Sequence, residues 1–158
     1  MPSPDERPPR WLSPTELEAW LSVVSLVMRL PGVLDSQLTR DSGLSHLEYS
    51  VLAMLSENKD HTRRLSELAM ITNSSLSRLS HLVSRLEERG LVRRETDPRD
   101  GRYTNAVLTG EGYKLLEVSA PGHVDRVRSA VLDTVDAEEF QRFGRTAAKI
   151  VGRLEELG

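Results

Sequence analysis

The sequence predicts a mainly α-helical fold with a small β-hairpin, a winged helix-turn-helix set between N- and C-terminal helices. Three observations carry this. Residues 65–89 read as a short helix, a turn and a longer helix. Residues 91–108 read as two β-prone runs, Leu91–Thr96 and Tyr103–Leu108, around the loop Asp97-Pro98-Arg99-Asp100-Gly101-Arg102. Two such runs about a loop holding Pro and Gly make a hairpin. Finally, both ends of the chain carry helical patterns too apolar to stand alone. The predicted segments are a disordered Pro-rich tail over 1–10, an N-terminal dimerisation helix over 11–41, the winged helix-turn-helix over 45–108 and C-terminal dimerisation helices over 109–158.

The elements follow in order. The tail MPSPDERPPR has four prolines in ten residues, which leaves it too little apolar surface to order itself. Ser13-Pro14-Thr15-Glu16 opens the first helix, with Ser as N-cap, Pro at the first helical position and Glu three residues after the cap. Trp20, Leu21, Val23, Val24, Leu26, Val27 and Leu30 then cover a wide arc, as in a helix buried on more than one side. A kink or break is expected at Pro31-Gly32 and an end at Asp41-Ser42-Gly43. Ser45 caps a second helix, with Glu48 three residues on and Leu47, Val51, Leu52 and Leu55 on one face, ending near Glu57-Asn58. His61-Thr62-Arg63 reads as a short strand. Beyond the hairpin, Thr109 is the N-cap of a long helix that Pro121-Gly122 should kink. Asp136-Ala137-Glu138-Glu139 is a further capping box. It opens a last helix with Phe140, Phe143, Ala147, Ile150, Val151, Leu154 and Leu157 at helical spacing.

Composition bounds the function. A chain of 158 residues is about one domain, and 38% hydrophobic with 28% charged residues suits a soluble helical protein. The absence of cysteine excludes disulfides, thiolate metal sites and cysteine redox switches. His46, His61, His81 and His123 lack the paired spacing of a zinc site, so no metal and no cofactor is expected. No run is expected to approach the roughly 18–20 apolar residues of a membrane span, and the N-terminus has no apolar signal core. A cytoplasmic protein with no membrane partner is the resulting expectation. The net charge of -3 hides an asymmetry: residues 61–102 hold nine Arg against six acids, so that stretch is +3 and the remainder -6. Local potential steers binding more than the global sum does.

The longer helix of the motif carries the chemistry. Leu79, Leu82, Val83 and Leu86 form one apolar stripe. The opposite face holds Ser77, Arg78, Ser80, His81, Ser84 and Arg85. Ser75 is the expected N-cap, and Asn73 sits in the turn, where a positive φ is often needed. Five serines within Ser74–Ser84 are unusual on a helix, because Ser is a mediocre helix former. Short hydroxyls let a helix sit close to a DNA groove and bond phosphates or bases. Arg78 and His81 can reach base edges, and an exposed Leu76 can touch a thymine methyl. The expected DNA contacts on this helix are Ser75, Leu76, Ser77, Arg78, His81 and Arg85. Those on the wing are Arg93, Arg94, Arg99, Asp100 and Arg102. Asp100, between two arginines, can fix one of them while the other reaches the minor groove. Arg93 and Arg94 read equally as phosphate contacts or as strand surface.

These residues carry a resemblance. Leu65-Ser66-Glu67-Leu68-Ala69, Arg85-Leu86-Glu87-Glu88-Arg89-Gly90-Leu91-Val92, Asp97-Pro98-Arg99-Asp100-Gly101-Arg102 and Leu108-Thr109-x-x-Gly112 closely resemble the MarR family of bacterial transcriptional regulators. Gly43-Leu44-Ser45 with Glu48-Tyr49-x-Val51-Leu52 is similar to that family's second helix. Together the strings span more than half the chain. The chain departs from the common pattern at Asn73, where Gly is usual, and at Ser74, where an apolar residue is usual. The resemblance implies a triangular homodimer with intertwined terminal helices and a winged helix-turn-helix on each subunit. It also implies a pseudo-palindromic double-stranded DNA operator, usually bound as a repressor. Many such regulators release DNA when a small aromatic or anionic effector binds between the dimer helices and the DNA-reading unit. Trp20, Arg29, His46, Tyr49 and His123 are the candidate pocket residues, although each has an ordinary packing role open to it.

Two other classes compete. For an enzyme, the sequence shows no nucleophile elbow, no phosphate-binding Gly-rich loop and no cysteine nucleophile, and it has little chain left to build a distinct concave site. A winged helix that binds protein instead of DNA is the alternative reading. It would more often expose apolar or acidic residues where this chain has Ser and Arg.

Overall fold

The computed structural model describes residues 9–157, so the predicted tail lies almost wholly outside the described residues. Two compact units divide the chain at Val33 and Leu34.

The first unit is the N-terminal arm of helix α1, which spans Pro14–Ser42. The predicted cap is made: Ser13 Oγ accepts the Glu16 N–H at 3.3 Å, and the Ser13 N–H donates to Glu16 Oε2 at 2.8 Å. No residue between 14 and 33 is buried, and Trp20 is 55% exposed. The expected break at Pro31 does not occur, because α1 runs through it without interruption. Proline forgoes one hydrogen bond to the preceding turn, which a helix of eight turns can sustain. A second expectation fails here too. By length and composition α1 is apolar enough to cross a membrane, although it has no unbroken apolar run. Ser22, Ser25, Arg29 and Gly32 interrupt the run without bringing the average down. An Arg at mid-helix would cost about 2.5–3.5 kcal/mol at a bilayer centre, which favours a protein surface as its cover.

The second unit holds the remaining elements. Gly43, at φ +65°, stops α1, its N–H returning to the Thr39 carbonyl at 3.0 Å. Helix α2, His46–Ser56, opens on a complete capping box between Ser45 and Glu48. Strand β1, Thr62–Arg64, leads directly into α3, Leu65–Ile71, and then α4, Leu76–Glu88. Strands β2, Val92–Thr96, and β3, Thr104–Leu108, form the hairpin. The predicted short strand adds to it, giving an antiparallel sheet of order β1-β3-β2 with Arg64 opposite Asn105 and Arg94 opposite Ala106.

Helix α5, Gly110–Ala130, starts on Thr109, whose Oγ1 accepts the Gly112 N–H at 3.1 Å and donates to the Gly90 carbonyl at 2.6 Å. It too continues unbroken through its proline, Pro121. A short 3-10 turn, Leu132–Thr134, precedes α6, Ala137–Leu157, whose predicted capping box between Asp136 and Glu139 is present.

One core holds this unit together. Val51, Leu52 and Leu55 of α2 meet Leu65 and Leu68 of α3, Leu79, Val83 and Leu86 of α4, Val92 and Ala106 of the sheet and Leu116 of α5. Helix α6 contributes nothing to it, and none of its residues is buried.

Candidate nucleic-acid interface

Helix α4 sits where two chain reversals put it. Asn73 adopts φ +49°. Its N–H reaches the Met70 carbonyl at 3.1 Å, and the Ser74 N–H reaches Ala69 at 2.9 Å. This pair of bonds is a Schellman motif, which ends α3 with a left-handed residue. Asn fills the usual Gly place because its short polar side chain tolerates that conformation. At the far end Gly90, φ +72°, repeats the device, with Gly90 and Leu91 N–H groups returning to Glu87 and Leu86 at 2.9 Å each. Between them Ser75 Oγ accepts the Arg78 N–H at 3.1 Å, the expected N-cap.

The stripe Leu79, Leu82, Val83 and Leu86 is buried. That turns Ser75, Leu76, Ser77, Arg78, His81 and Arg85 to solvent. Ser75, Ser77, Arg78, His81 and Arg85 line an open groove of about 610 Å³, shared with Asp35 and Ser45. Arg85 is not a free cation there. Its guanidinium lies 3.5 Å from Glu48 Oε1, and Arg89 lies 3.8 Å from Glu48 Oε2. Ser84, on the polar side by sequence, turns its hydroxyl back to the Ser80 carbonyl at 2.9 Å.

The wing residues divide by partner. Asp100 grips Arg102, with contacts of 2.7 and 2.9 Å from Arg102 Nη2 and Nε, while the Arg102 side chain stays 84% exposed. These bonds hold the Asp100 carboxyl below the usual carboxylate range and raise the Arg102 guanidinium. Arg93 pairs with Glu95 at 3.2 Å. Arg94 is committed to α4: its backbone N–H and its guanidinium both donate to Glu87, at 2.8–2.9 Å. That double hold keeps the Glu87 carboxyl low and clips β2 to α4. Arg99 gives its backbone N–H to Asp97 at 2.8 Å.

Sequence reasoning missed the group beneath the wing. Asp97 is 6% exposed. Its carboxyl is held below the usual range, first by the Arg99 N–H and then by Arg64, whose Nε lies 2.6 Å away. The Arg64 guanidinium also lies over the Tyr103 ring at 4.4 Å. Arg64 belongs to the string before α3, and nothing in its spacing points to a partner 33 positions on. A smaller cleft of about 200 Å³ joins helix and wing, lined by Leu65, Ser66, Leu76, Ser80, Arg102, Tyr103 and Thr104. The wing and α4 therefore share one face.

The effector candidates divide by unit. His46, Tyr49 and His123 come together, with His123 ring centroids 5.7 Å from His46 and 4.5 Å from Tyr49. Gln37, absent from the sequence candidates, joins them through Oε1 at 3.4 Å from His123 Nδ1. Burial lowers the His123 pKa, helped by His46, and burial raises that of Tyr49. Trp20 and Arg29 lie in the N-terminal unit, where Arg29 Nε donates to Ser25 Oγ at 3.2 Å.

A polar, arginine-bearing helix and a basic wing on one face of a winged helix-turn-helix define a DNA-binding transcriptional regulator. Known proteins agree. The MarR family profile matches residues 42–102. The HTH-type transcriptional repressor YetL of Bacillus subtilis is 30% identical over 138 residues, covering 87% of this chain and 81% of YetL. Sco3205, a MarR family transcriptional regulator from Streptomyces coelicolor solved in complex with DNA, is 42% identical with a TM-score of 0.87, covering 92% of this chain and 91% of its own. CouR of Rhodococcus jostii RHA1, solved bound to p-coumaroyl-CoA, is 25% identical with a TM-score of 0.71, covering 85% and 91%. The chain belongs to the MarR family, a family of DNA-binding regulators and not of enzymes.

Proposed function

We propose that the chain is a homodimeric repressor that reads a pseudo-palindromic operator with α4 in the major groove and its wing in the flanking minor groove. The cleft that Arg102 of the wing shares with Leu76 and Ser80 of α4 carries this reading, because it lets helix and wing engage one duplex together. Base readout falls to Arg78 and His81, with Leu76 against a thymine methyl. Backbone contacts fall to Ser75, Ser77, Arg85 and the arginines of the wing. Two-fold symmetry calls for half-sites about one helical turn apart, roughly 10 bp. Working on chromosomal DNA, such a repressor acts in the cytoplasm.

Effector release is the second part. A ligand shifts the equilibrium only if it binds the DNA-free geometry better than the DNA-bound one. The grouping of His46, Tyr49, His123 and Gln37 supports an aromatic or anionic effector, as does the thioester that CouR binds. The test is binding of the purified protein to the region upstream of its own gene, at two salt concentrations, against a scrambled duplex. Sequence-preferring, salt-sensitive binding with two subunits per site is expected. Equal binding to both duplexes overturns the reading; binding to neither leaves an operator elsewhere or a protein partner for the winged helix, and a pull-down comes next.

A further inference from the structure

We propose that Arg64 is a positioning residue for the wing: it sets where Arg99 and Arg102 arrive on DNA without contacting DNA itself. The proposal rests on the operator-binding reading above. Its basis is a chain of contacts that starts in the helix-turn-helix and ends at the wing tip. Arg64 is the last residue of β1, opposite Asn105 of β3, and stands directly before α3. Its Nε donates to Asp97 Oδ2 at 2.6 Å, and its guanidinium stacks on Tyr103 at 4.4 Å. One arginine thus holds a residue on each side of the wing loop. The other Asp97 oxygen accepts the N–H groups of Arg99 and Asp100, at 2.8 and 3.3 Å. The loop closes through Asp97 and Tyr103 backbone bonds of 3.0 Å, and Asp100 then fixes the Arg102 guanidinium.

The physical need is plain. A two-stranded hairpin is marginal on its own, and a binding group must be held to about 0.5 Å and 10–20° to keep its contact. Arg suits the post because its planar fork bonds a carboxylate and stacks on an aromatic face together. With its Nε on Asp97 and its flat face on Tyr103, Arg64 is turned toward the wing loop, and its side chain is 32% exposed.

The experiment has two arms, using Arg64→Gln, Arg64→Lys, Asp97→Asn and the Arg64→Gln/Asp97→Asn pair in the full chain. Amide hydrogen exchange at Arg99 and Asp100 is followed without DNA. Operator affinity, hydroxyl-radical footprints for the minor groove and dimethyl sulfate protection of guanine N7 for the major groove are then measured. In Arg64→Gln the wing amides are expected to exchange faster, affinity to fall on the order of tenfold, and minor-groove protection to vanish while major-groove protection by α4 persists. The double variant is expected to bind no worse than Asp97→Asn, because both act on one link. Arg64→Lys keeps the charge but not the stacked fork, and is expected to recover little. Unchanged exchange in Arg64→Gln, additive losses in the double variant, or full recovery by lysine each overturn the proposal, the last two making Arg64 a phosphate contact. If the parent protein itself shows no minor-groove protection, the operator-binding reading fails, and the exchange arm alone still decides whether Arg64 orders the wing.

Discussion

At the scale of single residues, the arginines of this face differ in what they are free to do. Arg102 is fixed by Asp100 yet almost fully exposed, so it is pre-ordered for an anionic partner. Arg102→Ala is expected to weaken operator and random DNA alike and to reduce the slope of log affinity against log salt by about 1. Isotherms at several salt concentrations check this. An unchanged slope removes Arg102 from the interface. Arg78 forms no ion pair among the described residues and lines the α4 groove. Its loss is expected to cost roughly 1–3 kcal/mol at one base pair per half-site and little elsewhere. Binding to single-substitution operator variants measures that, and equal losses on every sequence make Arg78 a phosphate contact. The exposed face of α4 was legible in the sequence, because a buried stripe at helical spacing fixes what lies opposite. The partners of Arg94, Arg85 and Arg64 were not. Glu87, Glu48 and Asp97 stand 7, 37 and 33 positions away, and only the folded chain brings them near.

At the scale of elements, caps and close approaches explain why the motif strings read as they do. Ser13, Ser45, Ser75, Thr109 and Asp136 all cap where the sequence places them, since a cap is a local signal of three or four residues. The unbroken course of α1 through Pro31 was left open by the sequence, which allows a kink or a break there, whereas the continuation of α5 past Pro121 was legible. A proline removes one bond, and whether a helix survives it depends on length and surroundings. Gly112 shows a constraint the string Leu108-Thr109-x-x-Gly112 contains but does not explain. A Cβ there would run into the Leu91 carbonyl oxygen and lie 2.8 Å from Leu108 Cδ1. Backbone cannot yield as a side-chain end can, so α5 would have to lift from the Gly90–Leu91 turn. Gly112→Ala is expected to destabilise the fold by about 1–3 kcal/mol or more, read from urea midpoints. Gly144→Ala, where a Cβ meets nothing within 4 Å of the single chain, serves as comparison. The packing of α5 on α2 has a pH signature too. Burial and then His46 lower the His123 pKa, so the unfolded chain takes up its proton first as pH falls. Stability is therefore expected to be full above the ordinary value of 6.5 and to decline as pH drops toward the lowered value. His123→Gln is expected to flatten that limb in thermal melts between about pH 8 and pH 5. An identical limb in the variant assigns the effect to other groups.

At the scale of the whole molecule, the chain leaves two helices uncovered. Helix α6 turns Phe143, Ile150, Val151, Leu154 and Leu157 outward, each about half exposed or more, and buries no residue. In the N-terminal unit α1 does the same with Leu17, Trp20, Leu21, Val27 and Met28. Soluble monomers rarely leave apolar faces of that extent in water. The helical signal was clear in the sequence, but a periodic pattern names a buried face and not what buries it. A second copy supplies apolar surface of the same kind, and two-fold pairing is the commonest way for identical chains to cover it. In such a pair association would stabilise the folded chain, so the melting temperature is expected to rise with protein concentration. Removing residues 136–158 deletes α6 while leaving the core of Leu52, Leu68, Leu79 and Leu86 intact. The shortened chain is therefore expected to keep its helical circular dichroism per residue but to sediment as a monomer or aggregate. Operator affinity should fall steeply with it, because one winged helix pays the entropy of association for half the contacts. A shortened chain that still sediments as a stable dimer would show that α1 is enough to pair the subunits, and would leave the apolar face of α6 to a different partner.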